Sequence, residues 1–341
     1  MKLSELYWHR ITPLHVLLWP LSVAYGCYLT IKKLCYWLDI FPSVKLTVPV
    51  IVIDSISIDD GGKTPFINWL IDSLLKNGYH PGIITRGNYD NPGSPAAVTS
   101  TTNPNMVGGK IFMLAHHYQQ TCPVWVGRDR IAVAQALLNA HPACNIILCN
   151  DGMQFYRLER DVEIAIVDFN EHNLGNGLLL PAGPLRTPLR HLNKIELIVT
   201  SGKQDHHIDI SKWTRAYNMM LANEIVYNVL NPEIRRPIKD FINDRIHAMA
   251  SGENAYWFFD LIQKSGLNAQ FQSFSENHQF HVKDFQTADT EIIIMPEENA
   301  LQCYPFAQPT LWALPRKAWV NDELQAAIMK KLDKLSSKTQ I

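Results

Sequence analysis

A short glycine-containing loop between an apolar run and a helix-like run constrains the fold of this chain most. Residues 46–53 are almost wholly apolar, and residues 57–65 read Ser-Ile-Asp-Asp-Gly-Gly-Lys-Thr-Pro before the helix-like run 66–76. Strand, tight loop ending in Gly-Lys-Thr and helix form a P-loop, where backbone N–H groups at the helix N-terminus face nucleotide phosphates. This pattern predicts that Lys63 reaches the β and γ phosphates of ATP and that Thr64 holds Mg²⁺.

The predicted loop departs from the strict P-loop pattern in its charge. Ser57 replaces the first glycine, and Asp59 and Asp60 stand where the loop should contact anions. An aspartate at roughly 5 Å from a phosphate charge costs on the order of 3 kcal/mol at an effective dielectric near 20. Weak ATP binding is therefore one expectation. The predicted nucleotide site is nevertheless the whole loop: Ser57, Ile58, Asp59, Asp60, Gly61, Gly62, Lys63 and Thr64.

Composition places the chain among cytosolic proteins without a nucleic-acid partner. The 341 residues carry a formal net charge of −1, so no global basic field favours nucleic acid. Six cysteines occur without a Cys-x-x-Cys pair, which indicates reduced thiols.

The N-terminal segment is the one stretch that approaches membrane-spanning length. Residues 14–31 are almost uncharged, with His9 and Arg10 before them and Lys32 and Lys33 after them. A secretory signal, a spanning helix interrupted by Pro20, an interfacial helix and a buried core helix are the four alternatives. We favour the interfacial helix, because basic ends and aromatic residues are typical of it: Trp8, Trp19, Tyr25, Tyr28, Tyr36 and Trp37.

Strand-like and helix-like runs alternate through the rest of the chain. Such alternation predicts an α/β fold, in which a P-loop NTPase-like parallel sheet is flanked by helices. A second, smaller α/β domain is expected towards the C-terminus. The predicted organisation is a membrane-associated helical segment (1–40), a P-loop core domain (41–210), a linker (211–240), the smaller domain (241–318) and a C-terminal helix and tail (319–341).

A family resemblance becomes specific at residues 175–186, which read Gly-Asn-Gly-Leu-Leu-Leu-Pro-Ala-Gly-Pro-Leu-Arg. This run resembles the signature of the tetraacyldisaccharide 4′-kinases, the lipid A kinases of Gram-negative bacteria. Further matching segments are residues 49–52, Arg86-Gly87, 123–130, 151–154, 156–158 and 312–315. The resemblance covers most of the chain.

The resemblance implies two α/β/α domains and an N-terminal helix docked on the cytoplasmic face of the bacterial inner membrane. It implies transfer of the ATP γ-phosphate, with Mg²⁺, to the 4′-hydroxyl of a tetraacylated glucosamine disaccharide 1-phosphate. It places metal ligands at Thr64 and Asp151 and catalytic roles at Asp151 and His278. Substrate contacts fall to Arg86, Arg128, Asn176 and Arg186. For Arg86 the alternatives are a phosphate contact and a salt bridge. Arg128 and Arg130 either hold lipid phosphate or pair with Asp129 and Glu163.

Several motif positions of that family are substituted in this chain. The catalytic carboxylate position appears as Gly109, a metal-associated carboxylate as Asn150, and the histidine paired with the catalytic carboxylate as Asn277. General base help is worth roughly 10²–10⁴ in rate, so a slow kinase is expected. The alternative is a weak or inactive paralogue that binds the lipid disaccharide or a partner at the membrane.

Overall fold

The structure of the chain is a computed structural model. It describes residues 8, 12–58, 61–87, 95–169, 174–202, 213, 216–222, 224–252, 254–275, 278–285 and 292–339. The chain divides into two compact units. The first comprises residues 1–98, 118–221 and 318–341, and the second comprises residues 99–117 and 222–317.

Helices and strands alternate along the described residues. The helices are α1 (Leu14–Trp37), α2 (Lys63–Lys76), α3 (Pro104–Val107), α4 (Gly109–Tyr118), α5 (Arg130–Ala140), α6 (Asn254–Lys264), α7 (Glu297–Gln302) and α8 (Asp322–Thr339). The strands are β1 (Val50–Ser55), β2 (Pro81–Thr85), β3 (Ala96–Ala97), β4 (Val124–Val126), β5 (Ile146–Asn150), β6 (Val162–Asp168), β7 (Leu197–Ser201), β8 (Ala216–Ala222), β9 (Ile225–Asn228), β10 (Arg235–Pro237), β11 (Ile246–Ser251), β12 (Ala269–Phe274), β13 (Ile292–Pro296), β14 (Leu311–Leu314) and β15 (Lys317–Val320).

The first sheet has nine strands in the order β15-β8-β7-β6-β1-β5-β2-β4-β3. Strand β1 pairs in parallel with β5 on one side and β6 on the other, while β3 joins the edge antiparallel to β4. Strands β1, β2, β5 and β7 are buried along their full length, which explains why they read as continuous apolar runs. The loop after β1 therefore opens at the carboxyl edge of a central strand.

The second unit has its own sheet, in the order β10-β9-β14-β13-β11-β12. Strands β11 to β14 are parallel, and β9 pairs antiparallel with both β14 and β10. Phe241, Phe258 and Trp312 belong to its main hydrophobic core, which packs α6 on the sheet. The α/β prediction is confirmed for both units.

Helix α1 shows an inverted pattern of burial. Its four buried residues are His15, Ser22, Gly26 and Leu29, which recur at helical spacing along one face. Val16 and Leu17 on the other side are 82% and 71% exposed. The helix is thus not a buried core helix, and Pro20 lies inside it without ending it. With 24 residues, it is long and apolar enough to cross a membrane.

Other expectations differ from the structure in detail. Residues 90–109 are rich in Asn, Pro, Gly, Ser and Thr, which favours a long loop, but they contain β3 and the short helix α3. Residues 211–240, expected as a linker, contain β8 in the first sheet and β9 and β10 in the second. Their short runs of mixed polarity hide the strands, because β8 and β10 bury few of their residues. The C-terminal segment adds β15 before its helix.

Candidate nucleotide site

The loop after β1 turns into α2 through two glycines. Gly61 and Gly62 have φ values of 56° and 85°, a region that a residue without Cβ enters at little cost. A Cβ on Gly61 would lie 3.1 Å from the Cβ of Asp168, so the packing also favours glycine here. Helix α2 begins at Lys63, and Lys63 and Thr64 are buried in its first turn. This is the predicted strand–loop–helix arrangement.

An ion pair joins Lys63 to the carboxyl end of β5. The Lys63 ammonium donates a hydrogen bond to Oδ1 of Asp151, and the Arg186 guanidinium lies 3.8 Å from the same oxygen. Asp151 has a positive φ of 56°, and Arg130 Nη2 donates to its carbonyl oxygen at 3.0 Å. Three cationic side chains are therefore directed at the residue that the sequence predicted as a metal ligand and catalytic group.

A second carboxylate, Asp54, lies beneath this ion pair. It is 6% exposed, and its oxygens accept from the N–H groups of Ser55 at 2.8 Å and Met153 at 3.0 Å. Burial raises the pKa of Asp54 to about 6, while the Lys63 charge pulls it down and the Asp151 charge pushes it up. Asp54 thus carries much of its negative charge at neutral pH in a site that also holds Lys63.

The segment 175–187 fixes the first half of the loop. Ile58 N donates to the Pro184 carbonyl at 3.0 Å, and Arg186 N donates to the Ile56 carbonyl at 2.8 Å. Ser57 forms an isolated antiparallel bridge with Leu185. The loop geometry therefore depends on a segment more than a hundred residues away in sequence.

The same segment holds α1. Ser22 Oγ donates to the Leu179 carbonyl at 2.7 Å and accepts from Ala182 N at 2.9 Å. Tyr25 OH donates to the Arg186 carbonyl at 3.3 Å. The signature-like run thus connects the apolar helix to the candidate nucleotide site.

Asn176, predicted as a substrate contact, organises this connection. Its side chain bonds the Ala182 carbonyl at 2.8 Å, Leu178 N at 3.0 Å and His15 Nε2 at 2.9 Å. Gly175 before it has a φ of 50°, and a Cβ there would lie 2.6 Å from the Trp8 carbonyl oxygen. Asn176 and Gly175 therefore join segment 175–187 to the N-terminal segment that contains Trp8 and His15.

The remaining predicted arginines lie along the same edge of the sheet. Arg86 follows β2 and Arg128 follows β4, and both are exposed. Because β1, β5, β2 and β4 are parallel neighbours, these side chains lie on the same edge as Lys63 and Asp151. The alternative, in which Arg128 and Arg130 pair with Asp129 and Glu163, is not observed among the described residues. Those carboxylates pair with Arg157 and Arg160, each at 3.1 Å.

The other predicted catalytic residues belong to the second unit. His278 Nε2 lies 3.0 Å from Oδ2 of Asp284, and its ring stacks on Phe274 at 4.3 Å. Although partial burial opposes it, hydrogen bonds from His281 N and His278 hold the pKa of Asp284 below its ordinary value. Asp59, Asp60 and Asn277 lie outside the described residues.

Gly109, at the position of the expected catalytic carboxylate, is the first residue of α4. A Cβ there would overlap with Nε2 of Gln302 and lie 3.2 Å from the Glu298 carbonyl oxygen. The Gln302 amide of α7 therefore occupies the space that a side chain at position 109 would need.

Comparison with known proteins assigns this architecture to a family. The sequence model described as "LpxK: Tetraacyldisaccharide-1-P 4′-kinase" matches residues 14–333. The chain belongs to the tetraacyldisaccharide 4′-kinase family. It is 40% identical to the tetraacyldisaccharide 4′-kinase of Nitrosomonas eutropha over 97% of this chain and 84% of that protein. It is 35% identical to the one of Methylobacillus flagellatus over 98% of this chain and 97% of that protein.

The fold of this family member is also similar to a solved structure. The crystal structure of "apo" form LpxK from Aquifex aeolicus in complex with ATP superposes with a TM-score of 0.80 at 20% sequence identity. The likeness covers 94% of this chain and 99% of that one. The predicted fold class, including the second sheet and the N-terminal apolar helix, is confirmed.

Asp54 is the site residue that sequence reasoning missed. The signal was present, because an aspartate near the end of an otherwise apolar buried strand needs a compensating partner. The sequence does not reveal that the partners are Ser55 N, Met153 N and the charge of Lys63, since Met153 lies 99 residues further along the chain.

Proposed function

We propose that this chain transfers the γ-phosphate of ATP to the 4′-hydroxyl of a tetraacyldisaccharide 1-phosphate in lipid A synthesis. The observation that carries the proposal is the strand–loop–helix site with Lys63 paired to Asp151, in a chain that belongs to the tetraacyldisaccharide 4′-kinase family. Phosphoryl transfer depends mainly on positioning and on stabilising the charge of the transferred group. Lys63 and Arg186 supply that positive charge here.

The N-terminus of α2 provides the phosphate contacts. Its first N–H groups lie at the positive end of the helix dipole, which favours phosphate oxygens. ATP would take the Lys63 ammonium away from Asp151, because a triphosphate carries more negative charge than one carboxylate. Asp151 is then released towards the metal position.

Mg²⁺ fits the oxygen donors at this site. The Thr64 hydroxyl and the Asp151 carboxylate would hold it, and when bound it neutralises phosphate charge. Among the described residues no group of three His, Cys, Asp or Glu side chains could hold a metal ion. Mg²⁺ needs only a few protein ligands, because it keeps several waters and phosphate oxygens in its coordination sphere.

The membrane position is part of the proposal. The exposed face of α1 is apolar and its buried face carries His15 and Ser22, the reverse of a helix that faces water. We place this face in the cytoplasmic leaflet of the inner membrane, where the lipid acceptor resides. Segment 175–187 would then hold the nucleotide site close to that surface.

The Lys63→Met variant tests the proposed reaction. Loss of one positive contact to the transferred phosphate is expected to lower transfer to the lipid acceptor by about 10²–10³-fold and to weaken ATP binding. The Lys76→Met variant is the control, because Lys76 is exposed at the far end of the same helix. ATP affinity by calorimetry and labelled phosphate in extracted lipid are the measurements. Equal activity in both variants would contradict the proposal and favour a binding protein without turnover.

A further inference from the structure

Asp54 is a carboxylate inside a fully buried strand. Every residue of β1 is buried, and Asp54 itself is 6% exposed. Among the described residues, its oxygens accept from two backbone N–H groups, those of Ser55 and Met153, although a carboxylate can accept about four hydrogen bonds. A buried charge that uses only half of this capacity costs free energy of folding. Such a cost is typical of residues that serve a functional site.

The position of Asp54 in the sheet puts it beside the ends of both strands that form the nucleotide site. Ile53 of β1 pairs with Asn150 of β5, and Asp54 and Asp151 each follow one residue beyond that pair. Paired strands lie about 4.8 Å apart. The charge of Lys63 attracts the Asp54 carboxylate, and the charge of Asp151 repels it. Asp54 is therefore close enough for its charge to act on a ligand that binds at Lys63 and Asp151.

The end of β5 supplies only one carboxylate of its own. Asn150, directly before Asp151, is an amide that is 7% exposed, and its Oδ1 has no hydrogen-bond partner among the described residues. A buried oxygen without a partner is unusual and indicates a place for an ion, a water or a ligand group. Once ATP draws Lys63 away, Asp54 and Asp151 are two neighbouring negative charges, an arrangement that favours a divalent cation.

We propose that Asp54 is a positioning residue for the magnesium complex of the nucleotide. Its charge attracts the cation and repels metal-free phosphates, so the protein binds the magnesium complex in preference to the nucleotide alone. The remaining hydrogen-bonding capacity of Asp54 suits the waters that Mg²⁺ keeps in its coordination sphere. Thr64 and Asp151 remain the proposed ligands. This inference rests on the proposed function for the identity of the nucleotide.

Calorimetric titration with ADP tests this role without turnover. A slightly alkaline buffer keeps the carboxylates ionised. In EDTA, Asp54→Asn is expected to bind ADP about tenfold more tightly than the native chain, because one repulsive charge is lost. In excess Mg²⁺, the same variant is expected to bind ADP about tenfold more weakly, because one attraction to the cation is lost. Damage to the fold would weaken binding in both buffers, so any result other than opposite shifts overturns the proposal.

The matched control is Asp161→Asn. Asp161 also accepts from an N–H group of β1, that of Val50 at 2.9 Å, but at the opposite end of the strand. This variant removes the same charge and should leave ADP affinity unchanged both in EDTA and in Mg²⁺. Shifts in Asp161→Asn equal to those in Asp54→Asn would show that net charge alone is responsible, which overturns the assignment to Asp54.

A charge-swap variant separates the charge of Asp54 from its shape. Asp54→Asn combined with Asn150→Asp moves the carboxylate to the neighbouring strand, and the Mg²⁺-dependence of ADP affinity is expected to return to within about threefold of that of the native chain. If the double variant behaves like Asp54→Asn, charge is not the cause and the proposal fails. These titrations contain no lipid. A chain that shows the opposite shifts but transfers no phosphate to the acceptor would refute the proposed function and still support this role of Asp54.

Discussion

The family resemblance implies a catalytic carboxylate at position 109, and we expect the space there to determine whether one can be introduced. A side chain at this position would displace the half-buried Gln302 amide and lie 3.2 Å from the Glu298 carbonyl oxygen, so Gly109→Asp alone should raise turnover less than a variant that also shortens Gln302. The double variant Gly109→Asp, Gln302→Ala frees that space and is expected to raise kcat by about 10²-fold. Turnover with labelled ATP measures this. An equal gain in the single variant would refute the steric argument, and Gln302→Ala alone is the control.

Asp54 makes the stability of the first unit depend on pH. Burial raises the pKa of Asp54 in the folded chain to about 6, above the value near 4 in the unfolded chain. Its contribution to stability is therefore complete below pH 4 and is lost as the pH rises through 6. Relative to the native chain, Asp54→Asn should therefore gain on the order of 3 kcal/mol of unfolding free energy between pH 4 and pH 7.

Urea unfolding at several pH values measures this difference. Asp161→Asn is a matched control, because Asp161 also accepts from an N–H of β1, that of Val50 at 2.9 Å. If the difference in unfolding free energy between Asp54→Asn and the native chain did not change from pH 4 to pH 7, the assigned role of Asp54 would be contradicted.

At the scale of the element, the packing of α1 depends on one serine hydroxyl. Ser22 Oγ joins the Leu179 carbonyl and Ala182 N, and both groups lose this partner in Ser22→Ala. The expected cost is about 1–3 kcal/mol, seen as faster proteolysis and faster amide exchange in α1 and in residues 175–187. Thr30→Ala is the control, because its exposed hydroxyl bonds only the Gly26 carbonyl of the same helix. Equal protection in both variants would show that the hydroxyl contributes little.

Segment 175–187 contacts both the nucleotide loop and helix α1. It bonds Ile56 and Ile58 of the nucleotide loop on one side and Ser22 and Tyr25 of α1 on the other. The Ser22→Ala variant, which loosens the packing of α1, should therefore also bind ATP more weakly. Such coupling is expected whenever one rigid segment supplies backbone contacts to two sites.

At the scale of the whole molecule, the exposed face of α1 should determine membrane association. The paired substitutions Val16→Glu and Leu17→Glu place charges on side chains that are 82% and 71% exposed, so folding should be unaffected while vesicle binding falls by at least tenfold. Trp319→Glu, at a 65% exposed apolar position of β15, is the control and should bind as the native chain does. Vesicle flotation measures binding. Equal flotation of all three proteins would place the membrane contact elsewhere.

Local patterns in the sequence determined the α/β architecture, the P-loop and the family. Asp129 caps the start of helix α5 by accepting a hydrogen bond from Ile131 N, because capping depends on neighbouring residues. The Gly61-Gly62-Lys63-Thr64 run likewise fixes its own turn, since positive φ and a helix N-terminus are local requirements.

Only the tertiary structure decided which distant residues complete the site. Asp54 and Asp151 come together because β1 and β5 are parallel neighbours, although about a hundred residues separate them. Two further features also depend on side chains from other elements. Asn176 bonds His15 of α1, and Gln302 fills the space beside Gly109. Such contacts follow from packing, and packing depends on the whole chain rather than on any one stretch of sequence.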